Sequence, residues 1–511
     1  MDAARALVGH VAVLLSSQLI TSMLGFFTVI LLPIYLGDAG LGRLAFAQSV
    51  CTVLGALVVA GTNIYIVREV AIDRRRASEL VTAGLLTRAP LWAAFALLIW
   101  LYFSLRGTSH DAMVVLGVLF AVTLVNVLNG VLSSALQGLE EMRWRSVAAV
   151  ATSVVVLVAG LPVIIATHSP IWFCVALLAG ALVGLGINAT YFLAARVPVS
   201  IPSRGAYREL AIGAMPFLAV ALSQGLFSQI DIIFTGLLTS EATVGWFAAA
   251  ARLSTAVVLV PVVMTSALLP VLTRLGPSRP LAAREALRRT LQAVLLLVVP
   301  MAAGISVIGK QLFEFLDYPP TFSNSIPILI VLSAGWVLTA VVMVLACGVV
   351  AAGRQRSWAF ASAAMLGVFA ALNGILIPLA QWLWANGGIG AALANLAAEF
   401  LFVAIALAMV RDRGFGWRDV SYFGRVALAT IPMVIVVREA AGQSLPLLIA
   451  VGALVYGVFS LLLRTVTVSD IRTLLQLLRG GLSANLTAVS APESNQAEAT
   501  TALVPPEAIA T

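Results

Sequence analysis

Three ionisable side chains, Asp231, Arg252 and Glu399, fall inside stretches otherwise made of apolar residues. A charge at the centre of a membrane helix costs roughly 2.5 to 3.5 kcal/mol on insertion scales, so each should serve a purpose. Asp231 comes about seven residues before the turn that joins two apolar stretches and Arg252 about eight after it, which at 1.5 Å per residue sets both roughly 10 to 12 Å deep. Adjacent helices would carry them at matching depth. The pair can act as a charged gate, as an arginine that holds phosphate with a carboxylate to orient it, or as a static interhelical ion pair. Glu399 has Asn395 one turn before it on the same helix face. It is either a protonatable coupling group or a neutral carboxyl hydrogen-bonded among helices.

Neutral polar residues recur at helical spacing as well: Asn126, Asn129 and Ser133; Gln224, Ser228 and Asp231; Ser17, Gln18, Thr21 and Ser22. Such stripes line a cavity or glue helices together. Other chemistry lacks its parts. The single lysine, Lys310, stands in VIGKQL with no phosphate-cradling loop around it, so ATP hydrolysis has no support. His10, His110 and His168 are far apart, and Cys51, Cys174 and Cys347 have no metal-ligand spacing. No metal or cofactor is expected, and transport is favoured over enzyme catalysis.

These side chains are positioned by helices whose solvent must be lipid. Of 511 residues 61% are hydrophobic and 10% charged, more apolar surface than a soluble domain can bury. Stretches of about 20 apolar residues or more predict an all-α integral membrane protein with about fourteen transmembrane helices. They fall near 9–35, 44–67, 81–105, 112–137, 146–167, 170–195, 211–238, 244–272, 290–309, 324–350, 358–382, 388–410, 425–441 and 446–464. With the N-terminus cytoplasmic, 25 of the 30 Lys and Arg residues, Arg88 among them, fall on the cytoplasmic side. The net charge of +8 is therefore topological, facing anionic headgroups, and no nucleic-acid partner is expected. Segments 68–80, 280–291 and 469–479 have the pattern of interfacial amphipathic helices, and 483–511 that of a disordered cytoplasmic tail.

The sequence repeats weakly. GDAGLGRLAFAQS (37–49) matches SEATVGWFAAAARLS (240–254) with Gly42 and Gly245 in register. SALQGLEEMRWRS (134–146) has a shorter counterpart in VVAAGRQRS (349–357), both ending Arg-x-Arg-Ser. Six spans separate the copies, which predicts two parallel six-helix lobes, 1–205 and 206–410. Residues 411–482 then supply two additional helices and an amphipathic segment.

These segments, with GTNIYIVREVAIDRRR (61–76) and above all MPFLAVALSQGLFSQIDIIFTGLLTSEATVGWFAAAARLS (215–254), resemble the polysaccharide transporter branch of the multidrug/oligosaccharidyl-lipid/polysaccharide (MOP) exporter superfamily. The likeness is to Wzx-type flippases and spans residues 8 to 410. It implies MATE-like pseudo-symmetric lobes around a cavity that opens alternately to each side of the cell membrane. The implied cargo is an undecaprenyl-pyrophosphate-linked saccharide unit, moved to the outer leaflet for lipopolysaccharide or exopolysaccharide synthesis. Arg252 matches an arginine in the eighth helix of the related lipid II flippases, implying a phosphate contact, and Arg43, at the mouth of the second span, joins it by position. With Gln224, Asn126 and Asn129 these are the expected substrate-binding residues; Asp231 and Glu399 are the expected coupling residues for H+ or Na+. The chain is expected to act as a monomer, among membrane lipids and other polysaccharide assembly proteins. Export of organic cations, or a scaffold that transports nothing, are the alternative functions.

Overall fold

The computed structural model describes the backbone of residues 2–194, 202–275, 280–410 and 417–465. Within these, the side chains of 2–16, 19, 26, 29, 216–224, 255–256, 280 and 417–420 are not described. The amphipathic segment 469–479 and the tail 483–511 lie outside the described residues.

Every long element is a helix, because in hydrocarbon each backbone N–H and C=O must be satisfied within its own segment. The first two crossings are the arms of one element, α1 (Asp2–Val59), turned at Gly37 by a left-handed φ of 63°. A second left-handed pair, Ala60 and Gly61, separates α1 from α2 (Thr62–Ile72). Four more crossings follow: α3 (Ala77–Leu105), α4 (His110–Gly138), α5 (Met142–Thr167) and α6 (Pro170–Ala194). The seventh crossing is α7 (Arg204–Phe227) plus α8 (Ile230–Leu238); the eighth is α9 (Glu241–Arg252) plus α10 (Ser254–Leu275). Then come α11 (Pro280–Phe315), α12 (Ser325–Ala351), α13 (Gln355–Trp384), α14 (Gly387–Val410), α15 (Trp417–Glu439) and α16 (Leu445–Leu462). Among the described residues these helices group into fourteen rods.

Among the described residues twelve segments are long and apolar enough to span a membrane. The two further expected spans, 9–35 and 211–238, correspond to the first arm of α1 and to α7 with α8, where many side chains are not described. Trp382, Leu105 and Phe360 point outward, as they should where lipid is the solvent.

The halves share a packing pattern. α6 packs on both α4 and α5; α14 packs in the same way on α12 and α13. α15 and α16 pack on α11, outside the duplication. Two expected interfacial segments belong to the bundle instead. Residues 68–80 break at Asp73, whose carboxylate accepts from the Arg75 N–H, and 280–291 form the first turns of α11.

Candidate functional site

The halves meet where α1 and α9 cross. Gly42 and Gly245 are both required to be glycine there: a Cβ on Gly42 would run into the Glu241 carbonyl, and one on Gly245 into that of Asp38. Around this contact the Arg43 Nε donates to Glu241 Oε2 at 2.5 Å, and Trp246 Nε1 donates to Asp38 Oδ2 at 3.1 Å. The register that aligns Gly42 with Gly245 also aligns Asp38 with Glu241 and Arg43 with Trp246. Each half thus offers an acid, and five residues later a donor, to the acid of the other. Asp111, at the start of α4, adds a second carboxylate 3.7 Å from Arg43. Ser240 caps α9 through the Thr243 N–H, fixing where Glu241 begins the helix.

Beneath this crossing opens a cavity of about 740 Å³, running along the second arm of α1 to Asn63 on α2. Gln48, Thr52, Thr123 and Asn126 line one wall; Gln229 and Arg252 line the other. Arg252 ends α9 where Leu253 interrupts the helix, so the break presents the guanidinium to the cavity. Arg252 and Gln48 also border an adjoining pocket of about 200 Å³ against Thr28 and Thr152.

Asp231 does not meet Arg252. The chain breaks at Ser228 and Gln229, which resets the helical phase, and α8 then packs on α13 and α14. There Asp231 accepts from Asn373 Nδ2 at 3.0 Å and from Asn395 Nδ2 at 3.4 Å. Nearby, Thr339 Oγ1 on α12 donates to Glu399 Oε1 on α14 at 2.9 Å. Among the described residues, Glu399 Oε2 and Asn373 Oδ1 are buried with no hydrogen-bond partner. The expected ion pair is replaced by a buried, oxygen-rich cluster within the second half, which joins Asp231, Asn395 and Glu399 with Asn373 and Thr339.

Of the expected binding residues, Arg252 and Asn126 line the cavity. Arg43 lies beyond it at the α1–α9 crossing, held by Glu241. Asn129 accepts from Asn188 Nδ2 at 2.7 Å, joining α4 to α6. The Gln224 side chain lies outside the described residues. Arg88, counted above with the cytoplasmic charges, is 2% exposed inside α3. Its guanidinium donates to the Val127 carbonyl at 3.0 Å, to Asn63 Oδ1 at 2.8 Å and to Thr62 Oγ1, bracing the α1–α2 break. Asp38, Glu241 and Trp246 were also absent from the expected set; the repeat register alone could have paired them.

The fold, paired six-helix halves around a polar cavity, is shared with solved structures of membrane transporters. The chain aligns with the lipid II flippase MurJ in an inward closed conformation at TM-score 0.72 and 15% identity, covering 88% of this chain and 97% of that one. It aligns with an inward-facing MATE multidrug transporter of the MOP superfamily at 0.63 and 17%, covering 79% and 98%. To an outward-facing MATE transporter the score is 0.52 at 16% identity, covering 79% and 96%. The polysaccharide biosynthesis protein family matches residues 7–276, more than half of the sequence, and the chain belongs to that family. No curated protein matches the chain.

Proposed function

We propose that the protein is a flippase that moves a lipid-linked saccharide, carried on undecaprenyl pyrophosphate, from the cytoplasmic to the outer leaflet by alternating access. The observation that carries this reading is the polar cavity with Arg252 in its wall, closed at one end by the α1–α9 crossing. Membership of the polysaccharide biosynthesis family supports a saccharide cargo. The distribution of arginines supports an open end at the cytoplasm, the side from which such a cargo would be taken. The sugar and phosphate need a polar path, whereas the lipid tail does not and stays in the bilayer. The oxygens of Asp231, Asn373 and Glu399 are the groups through which H+ or Na+ would be coupled. Export of organic cations is disfavoured, since among the described residues no carboxylate lines the cavity.

Reconstitution into vesicles with a fluorescent lipid-linked saccharide tests the reading. The probe is expected to redistribute between leaflets when the protein is present; an unchanged distribution removes the proposal.

A further inference from the structure

The main cavity carries charge at one point. Among the described side chains that line it, Arg252 is the one ionised group, and the other polar ones are amides and hydroxyls. Of the residues whose side chains are not described, PFLAVALSQ (216–224) and TA (255–256) carry no charge, and Asp2 and Arg5 stand at the start of α1.

The neutral groups have hydrogen-bonding capacity to spare. Thr52 and Thr123 donate to the carbonyls of Gln48 and Leu119 one turn back, at 2.7 and 2.8 Å, so their oxygens remain as acceptors. Asn63 gives its oxygen to Arg88 and keeps its amide protons. Gln229 donates to Ser228 and keeps its oxygen. The Gln48 and Asn126 side chains border the cavity and make no hydrogen bond among the described residues. Such a wall offers donors and acceptors in mixture, which matches sugar hydroxyls, each of them both donor and acceptor. It offers a second anion nothing but desolvation.

We infer that the saccharide this cavity accepts is uncharged, with Arg252 answering the phosphate linkage and Gln48, Thr52, Asn126 and Gln229 meeting neutral hydroxyls. The inference rests on the proposed lipid-linked cargo and narrows its class. A glycan bearing a uronic acid or sulfate would place an unpaired anion against the amide wall, the repulsive half of a selectivity filter.

The test uses the full chain in vesicles with two fluorescent probes built on the same short polyprenyl diphosphate. One bears a neutral disaccharide, the other a disaccharide ending in a uronic acid, and a membrane-impermeant quencher reads each probe's leaflet. The neutral probe is expected to cross at least about tenfold faster, a difference of roughly 1.4 kcal/mol in the rate-determining state. Asn126→Arg should narrow the ratio by speeding the uronate probe. Equal rates, or a faster uronate probe, in the unmodified protein would overturn the inference and leave the carrier reading standing. Movement of neither probe removes both. Because the unmodified protein already gives the ratio, a variant that fails to insert does not spoil the measurement.

Discussion

The guanidinium of Arg43 and the carboxylate of Glu241 meet across the two halves of the molecule at 2.5 Å, in a position mirrored by Trp246 and Asp38. Both partners are partly exposed, so the pair contributes only about 0.2–1 kcal/mol to holding this end shut. Arg43→Glu sets like charges face to face and is expected to shift the population towards separation of α1 from α9. Combining it with Glu241→Arg should restore closure. Distance distributions between spin labels flanking the crossing report both outcomes, and a double variant as open as the single one would contradict the pairing.

Gly245→Ala tests the crossing without touching charge. Its new Cβ meets the Asp38 carbonyl, backbone rather than a yielding side chain, so at least the 1–3 kcal/mol typical of overpacking is expected. The same labels should show the end held apart, and transport should fall because one of the two alternating states is lost.

Arg252→Ala should slow leaflet exchange by at least about tenfold, the loss expected when a charge-assisted contact of roughly 1.5–3 kcal/mol disappears. Arg252→Lys should recover part of it, keeping the charge while losing the two-pronged fit to phosphate. A normally inserted Arg252→Ala protein with full transport would reduce the residue to a structural role.

Asp231→Asn and Glu399→Gln keep shape and remove ionisation. Both variants should insert normally yet lose the response of transport to an imposed Na+ or proton gradient. In the first, the new amide opposes the donors of Asn373 and Asn395, at a stability cost of about 1–3 kcal/mol read by thermal melting. Retained gradient dependence in both variants would separate this cluster from coupling.

Arg88→Leu would strand the acceptors on Thr62, Asn63 and Val127 around a break that the guanidinium holds. A loss of order 3 kcal/mol is expected, visible as a lowered melting temperature in detergent. Asp38 and Glu241 lie far along their helices from this site, so closure measured there should be unaffected.

The crossings could be read from the sequence because apolar length and charge are local properties of a segment. Helix phase was not readable in the same way. From the turn between them α8 runs unbroken to Asp231 and α9 to Arg252, so the depth count stands; what the sequence left open is the direction each side chain faces, and the packing of α8 on α13 and α14 takes Asp231 away from Arg252. Proline gave no warning of the interruptions at Gln229 and Leu253: Pro33, Pro261, Pro300 and Pro378 all lie inside continuous helices, while two other interruptions fall at Gly37 and Gly61. Arg88 looked like a loop charge because its partners come from α2, α4 and the break between α1 and α2, far away in sequence. Of the cavity, Asn126 and Arg252 were legible as polar residues in apolar surroundings. Gln48 and Gln229 became part of it only when the helices were set side by side.

The backbone contact at Gly42 and Gly245 also bears on the membrane as an electrical barrier. Each elementary charge that leaks across 100 mV dissipates about 2.3 kcal/mol. A cavity wide enough for a saccharide would short-circuit that potential if its far end were sealed by long side chains with water between them. At Gly42 and Gly245 the two main chains come so close that not even a methyl group fits between them, so this end is closed by backbone and not by long, yielding side chains.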